Sequence, residues 1–324
     1  MIRLACRFVQ CRLVAVLTLI VIITAITLPA AANGVERWPV HIWSDGTRMA
    51  GDLWLPAGFD AARGWPAILL THGWGGTRYH LNERYAPKFA DAGFVVLTFD
   101  YRGWADSHSR LVIVGELPEP DTNGELTVRA RAIREVVDPK DQIRDIISAL
   151  DYLSGEPGVD RNRIGIWGTS YSGGHVIHVG ARDDRVAAIV SQVGYQGVGG
   201  WNPEARRHAR QRAIDRARGT IDPIPQTADR IPNLNGTPDL AKMLDHRPIE
   251  LAPEVRVPTL VIDVTEEELF DHTANGRAVY DVIRRNAEAD YVTFPGKHYS
   301  IYGRHLAASI TTAIAWFRKH LMPQ

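Results

Sequence analysis

The sequence predicts an α/β domain: a mostly parallel sheet with helices on both faces and a small lid insertion. Three observations predict it. From residue 37 onward, short β-rich runs alternate with helix-period stretches, the pattern of helices laid on both faces of a parallel sheet. Eight such β-rich runs can be read along the chain. Residues 33–324 carry no cysteine, so the core must hold by burial alone, which a chain of this size can do as one domain.

Residues 1–32 read as a leader rather than as fold. Arg3, Arg7 and Arg12 precede the uncharged run "LVAVLTLIVIITAITLP", and Ala30, Ala31 and Ala32 offer small residues to a signal peptidase. Cleavage is expected after Ala32, giving an exported chain, periplasmic or secreted, with no stable membrane insertion. An uncleaved N-terminal anchor is the alternative, because the run is nearly long enough to span a thinned bilayer. Both cysteines, Cys6 and Cys11, fall in the leader. Removing its three arginines from 37 basic residues leaves 34 against 37 acidic ones, so no nucleic-acid partner is expected.

In order, the candidate strands are "RWPVHIW", "MAGDLWL", "PAILLT", "FVVLTFD", "RIGIWG", "RVAAIVSQV", "PTLVIDV" and "DYVTF". Between the fourth and fifth, "DPKDQIRDIISALDYL" predicts a helix: Asp138 can cap it and Pro139 suits its first turn. Ile143, Ile146, Ile147, Leu150 and Leu153 fall on one face. The last helix places Leu306, Ile310, Ile314, Phe317 and Leu321 on one stripe. Two segments break the alternation. Residues 108–137 read as a β-hairpin excursion with Pro, Asp, Asn and Gly at its turn. Residues 195–256, with the Arg-rich helix "PEARRHARQRAIDRAR", read as the lid insertion. That helix carries six arginines between 204 and 218; a solvated face is the favoured reading, with attraction of anionic substrates as the alternative.

The stretch "IWGTSYSGGHV" follows the fifth strand and holds two serines. A hydroxyl is a weak nucleophile unless it is exposed, aligned with a base and close to amide donors. A strand-turn-helix elbow supplies that geometry and needs small neighbours two positions to either side. Neither serine has glycine on both sides, but the strand ends at Trp167, so Ser170 falls at the apex. Ser172 then serves as the small residue at the exit, and Gly173 and Gly174 allow the helix to approach the sheet.

Of the histidines beyond Ser170, His298 follows the last strand through "PGK" and precedes the final helix, a position where sites form in open α/β sheets. His175 and His178 read as a packed helix face rather than as metal ligands. The acid should follow "PTLVIDV", where Glu266, Glu267, Glu268 and Asp271 are all in range. Spacing alone leaves these four open. Oxyanion donors are expected from the backbone amide of Tyr171 and, in the loop "HGWGG", from the amide of Trp74.

Together these pieces resemble the α/β-hydrolase superfamily, over nearly all of residues 33–324. The match is to its branch of prolyl dipeptidyl peptidases, cocaine-type esterases and dienelactone-hydrolase-like enzymes. It rests on "HGWGG", "FDYRGWADS", "VDPKDQ" and "GTSYSGG", where the branch favours G-x-S-Y-x-G. The resemblance implies Ser170 as nucleophile. It maps the acid in "DVTEEELFD" onto Glu267, a glutamate where relatives carry aspartate, with Glu268 as alternative, and "PGKHYSIYG" onto His298. The implied chemistry is acyl transfer to water on a small-molecule ester, requiring no metal or organic cofactor. Esterase is favoured over dipeptidyl peptidase because the peptidases carry large extra domains that this length leaves no room for. Acyltransfer on the same triad, and a non-catalytic binding protein on a hydrolase scaffold, are the alternatives.

Overall fold

The computed structural model describes residues 34–322. Its centre is an eight-stranded sheet built from β1 (Glu36–Ser44), β2 (Thr47–Leu55), β3 (Trp65–Thr71) and β4 (Val95–Phe99). β5 (Val159–Thr169), β6 (Val186–Gln192), β7 (Thr259–Val264) and β8 (Ala289–Phe294) complete it. The spatial order is β1-β2-β4-β3-β5-β6-β7-β8. Only the β1–β2 and β2–β4 pairs are antiparallel; every later pair is parallel. All eight expected strands are in this one sheet, and the fold is that of the α/β-hydrolases.

Alternation along the strands sorts the core into two layers. Leu69, Leu97, Ile166 and Ile189 face one side, where helix α3 (Pro139–Gly155) lays down Ile146, Leu150 and Leu153. Ile68, Leu70, Val96, Trp167 and Val190 face the other. There α2 (Ala86–Asp91), which follows α1 (Arg78–Arg84), contributes Phe89, and the last helix (Leu306–Leu321) contributes Ile310, Phe317 and Leu321. Each such fully buried side chain contributes roughly 1.5–3 kcal/mol. Asp138 caps α3 by accepting from the amides of Lys140 and Asp141.

Two motifs of the sequence turn out to be braces. Asp100 accepts the amide of Arg78 at 2.7 Å and also its guanidinium, which reaches Asp52 and Asp106 at 2.9 and 2.8 Å. Arg102 donates its amide and Nε to Asp145 on α3 at 2.9 and 2.7 Å. The first brace fixes the end of the "HGWGG" loop, and the second ties the end of β4 to α3.

Outside the sheet, Leu111–Val114 pairs antiparallel with Arg129–Ala132. Beyond β6 lie α5 (Pro203–Ala217) and α6 (Leu240–Asp245). Arg212 and Arg216 of α5 pair with the buried Asp229, Arg216 also with Asp239, and Arg210 with Asp245. Arg206 donates to the carbonyl of Trp201 at 3.0 Å. Arg212 and Arg216 tie the helix into the insertion, while Arg206, Arg207, Arg210 and Arg218 stay exposed, so the expected solvated face covers part of the helix.

The membrane-anchor expectation belongs to the leader. Among the described residues no helix is long and apolar enough to cross a membrane. The leader and the cleavage point after Ala32 lie outside the described residues.

Candidate active site

Ser170 stands between the end of β5 and the start of α4 (Tyr171–Gly180) with φ 56° and ψ −123°, a left-handed-side conformation that costs a non-glycine residue about 1–3 kcal/mol. The strain is held in place by its surroundings. A Cβ at Gly168 would come within 2.4 Å of the carbonyl oxygen of Ser172, and one at Gly73 within 2.7 Å of Ser170 Cβ. Both glycines are therefore obligatory, and the "HGWGG" loop lies directly against the elbow. The amide of Ser170 donates to the carbonyl of Gln192 on β6 at 2.9 Å.

Ser172 is fully buried. Its hydroxyl lies 2.9 Å from the Tyr101 hydroxyl and donates to Thr71 Oγ1 at 2.7 Å, and Thr71 donates to the Trp167 carbonyl at 3.0 Å. The sequence reading had given Ser172 only small size. The structure adds a hydrogen-bonded pin between α4, β3 and β4's end, which no local pattern announces.

The turn after β8, His298–Tyr302, brings His298 Nε2 to 3.1 Å from Ser170 Oγ. On the ring's other side, Nδ1 is 2.7 Å from Glu267 Oε2. Both side chains are 1 % exposed. Glu267 Oε1 accepts from the amide of Leu269 at 3.0 Å, which orients the carboxylate. Of the neighbouring candidates, the carboxylates of Glu268 and Asp271 are occupied otherwise and Glu266 is exposed. Glu268 accepts the backbone amide of His298 at 2.7 Å, the Glu266 amide donates to the Gly296 carbonyl at 2.9 Å, and Asp271 accepts from Thr273. Two adjacent glutamates thus grip one histidine, by its ring and by its backbone.

Beneath Glu267, burial pushes the Asp263 carboxyl up to about 7; the hydrogen bond from Tyr291, 3.0 Å away, opposes that shift, and the charge of Glu267 adds to it. Glu267 therefore avoids facing a fully ionised second carboxylate.

Tyr171 opens α4, so its amide has no carbonyl one turn back to bond. The Trp74 amide has no backbone partner among the described residues. The Trp74 indole donates to the Asn235 carbonyl at 2.8 Å, linking the loop to the insertion, and its ring meets Tyr171 edge-on at 5.4 Å. A further link escaped the sequence reading. The hydroxyls of Tyr302 and Thr169 are 2.7 Å apart, so the turn that carries His298 is bonded to the residue before Ser170.

His175, His178 and His246 are structural. His175 Nε2 is 3.0 Å from Gln142 Oε1, which can only accept from it, so Nδ1 must accept from His246 Nε2 at 3.0 Å. Burial pushes both rings down, His246 to about 3, so they are neutral. His178 stacks on His246 at 5.9 Å. Among the described residues no group of three or more His, Cys, Asp or Glu side chains could hold a metal.

Ser170 and His298 open onto a cavity of about 1010 Å³. Its walls come from the "HGWGG" loop, the elbow, residues 199–201, α5, residues 231–235, α6 and residues 269–271.

The chain matches the family described as X-Pro dipeptidyl-peptidase (S15 family) over residues 45–298. It belongs to that family. Among the relatives of this S15 chain is an uncharacterized 31.7 kDa protein of the traX-finO intergenic region of Escherichia coli. That protein is 29% identical over 289 residues, covering 79% of this chain and 91% of the relative. The quorum-quenching protein AidA of Acinetobacter baumannii is 35% identical over 162 residues, covering 49% of this chain and 45% of its own. In structure, the α/β hydrolase GrgF from Penicillium superposes with a TM-score of 0.68 at 18% identity, over 88% of this chain and 99% of that one. Serine-hydrolase-type chemistry on an α/β-hydrolase scaffold, acting on a small-molecule substrate, follows for this S15 member.

Proposed function

We propose that this chain hydrolyses carboxylic esters through an acyl-enzyme, with Ser170 as nucleophile, His298 as general base and acid, and Glu267 as the group that orients His298. The observation that carries this reading is the continuous relay from Ser170 Oγ to His298 Nε2, 3.1 Å, and from Nδ1 to Glu267, 2.7 Å, at a strained elbow.

In the first half-reaction Ser170 Oγ attacks the ester carbonyl while its proton passes to His298 Nε2. The ring becomes an imidazolium, and the Glu267 carboxylate at Nδ1 stabilises it and keeps the ring from turning. The amides of Trp74 and Tyr171 receive the developing oxyanion. His298 then gives its proton to the departing alcohol, leaving the acyl group on Ser170. Water enters, loses a proton to the same nitrogen, and the carboxylic acid leaves. Glu268, holding the backbone of His298, keeps the ring nitrogen at one distance through both halves.

An ester is favoured over a peptide because the cavity offers an N-terminal ammonium no buried partner: its one lining carboxylate besides the relay, Asp271, is exposed and already capped onto Thr273. In this reading residues 33–324 are one hydrolase domain, the hairpin of 108–137 is an excursion from it, and the insertion of 195–256 acts as the lid. The test is labelling with a fluorophosphonate, mass spectrometry to locate the modified residue, and a panel of matched esters and amides. Label on Ser170, ester turnover ahead of amide turnover, and loss of both label and turnover in Ser170→Ala are expected; full turnover in Ser170→Ala refutes the reading.

A further inference from the structure

The cavity's chemistry goes beyond the reaction type. Its volume, about 1010 Å³, lies at the upper end of the range that encloses drug-sized ligands, far more than an acetyl group fills. Its walls include Trp74, Tyr195, Trp201, Leu234, Met243 and Phe270; among the described residues no lysine, arginine or glutamate lines it, and the one aspartate that does, Asp271, is exposed. The lid helix shows how this neutrality is kept. α5 is the most arginine-rich element of the chain, yet the residues it turns to the cavity are Ala205 and His208. Arg206, Arg210, Arg212 and Arg216 are bonded to Trp201, Asp245, Asp229 and Asp239 instead. A charged group entering such a space gives up its hydration without gaining a buried ion-pair partner, whereas a hydrocarbon group gains from every methylene it buries.

We propose, building on the ester reading above, that the substrates are uncharged esters carrying a large apolar group, of the order of a medium-length alkyl chain, which the lid cavity encloses. The selectivity then comes from apolar area on the substrate, and a terminal charge of either sign opposes it.

A series of p-nitrophenyl esters from acetate to decanoate keeps the leaving group constant and reads this directly. Rising kcat/KM is expected, by up to about fourfold per methylene while the chain is being buried. An octanoyl ester ending in a carboxylate or an ammonium is expected to be about 100-fold poorer than octanoate. Ala205→Phe, which fills the cavity from the lid, should lower the octanoate-to-acetate ratio. A flat or falling series, or preference for either charged ester, overturns the proposal. A second readout does not need turnover: protection of Ser170 from fluorophosphonate by n-alkylboronic acids, ethyl to octyl. Protection that strengthens with length supports the apolar cavity even if no ester is hydrolysed, an outcome that refutes the ester reading alone. Protection independent of length refutes the cavity proposal.

Discussion

Glu267→Gln separates the two glutamates that hold His298. The substitution keeps the size of the side chain and one carbonyl oxygen for Nδ1, but removes the negative charge that faces the imidazolium. At 2.7 Å, a carboxylate and an imidazolium attract by about 6 kcal/mol at an effective dielectric constant near 20. The neutral hydrogen bond left in the variant returns about 1 kcal/mol. The remaining ~5 kcal/mol corresponds to a fall of about 10³- to 10⁴-fold in kcat. Glu268→Gln is the control on the same histidine: its carbonyl can still accept the His298 amide, now bonded at 2.7 Å. Weakening a charge-assisted bond to a neutral one costs about 1 kcal/mol, less than tenfold. The assay is the initial rate on a p-nitrophenyl ester, with circular dichroism melting to verify that both variants fold. Equal losses in the two variants, or a larger loss in Glu268→Gln, would refute the assignment of Glu267.

Other perturbations probe what surrounds the relay. Tyr302→Phe and Thr169→Val each remove the 2.7 Å bond between the histidine turn and the elbow, and Thr169→Val also removes the bond from Gln192 Nε2 at 3.2 Å; each should lower kcat about tenfold with KM little changed, and the double variant should be no worse than Thr169→Val, since the shared bond is lost once. Asp263, whose carboxyl burial holds up to about 7, stays protonated in the fold while the unfolded chain ionises near pH 4. Its contribution to stability is therefore lost as pH rises from about 4 to about 7, by ~4 kcal/mol in total. Urea titrations should accordingly show Asp263→Asn gaining on the parent by about that amount across the window, and a pH-independent difference would refute a buried neutral Asp263. Gly168→Ala, driving a methyl to 2.4 Å from the Ser172 carbonyl, should destabilise by about 3 kcal/mol, read as a lowered Tm.

The parts of this protein that were legible in its sequence are those with a short-range cause. The strands of the sheet are short apolar runs bounded by turn formers, and α3 carries both its cap, Asp138, and its apolar stripe within one segment. Ser170 could be chosen over Ser172 because strand length fixes where a turn falls, and the observed φ of 56° is at the expected residue. His298 was legible for the same reason: it ends a loop at the carboxyl edge of the last strand.

Partner choice was not legible, because it is decided across the fold. Glu267 and Glu268 are chemically identical neighbours. Which one meets the imidazole and which the backbone depends on how the loop after β7 lies against the turn after β8, two segments about thirty residues apart. The arginines of α5 pose the same problem on a larger scale. Their spacing describes a charged face, but whether that face is hydrated or spent depends on Asp229, Asp239 and Asp245, which belong to other segments of the insertion. With Arg212 and Arg216 taken up by those aspartates and no arginine of α5 lining the cavity, a strongly basic helix stands beside a cavity whose one lining carboxylate, Asp271, is exposed. The charge pattern of a helix is therefore a poor guide to the charge of the cavity beside it. What faces the cavity from α5 is Ala205 and His208.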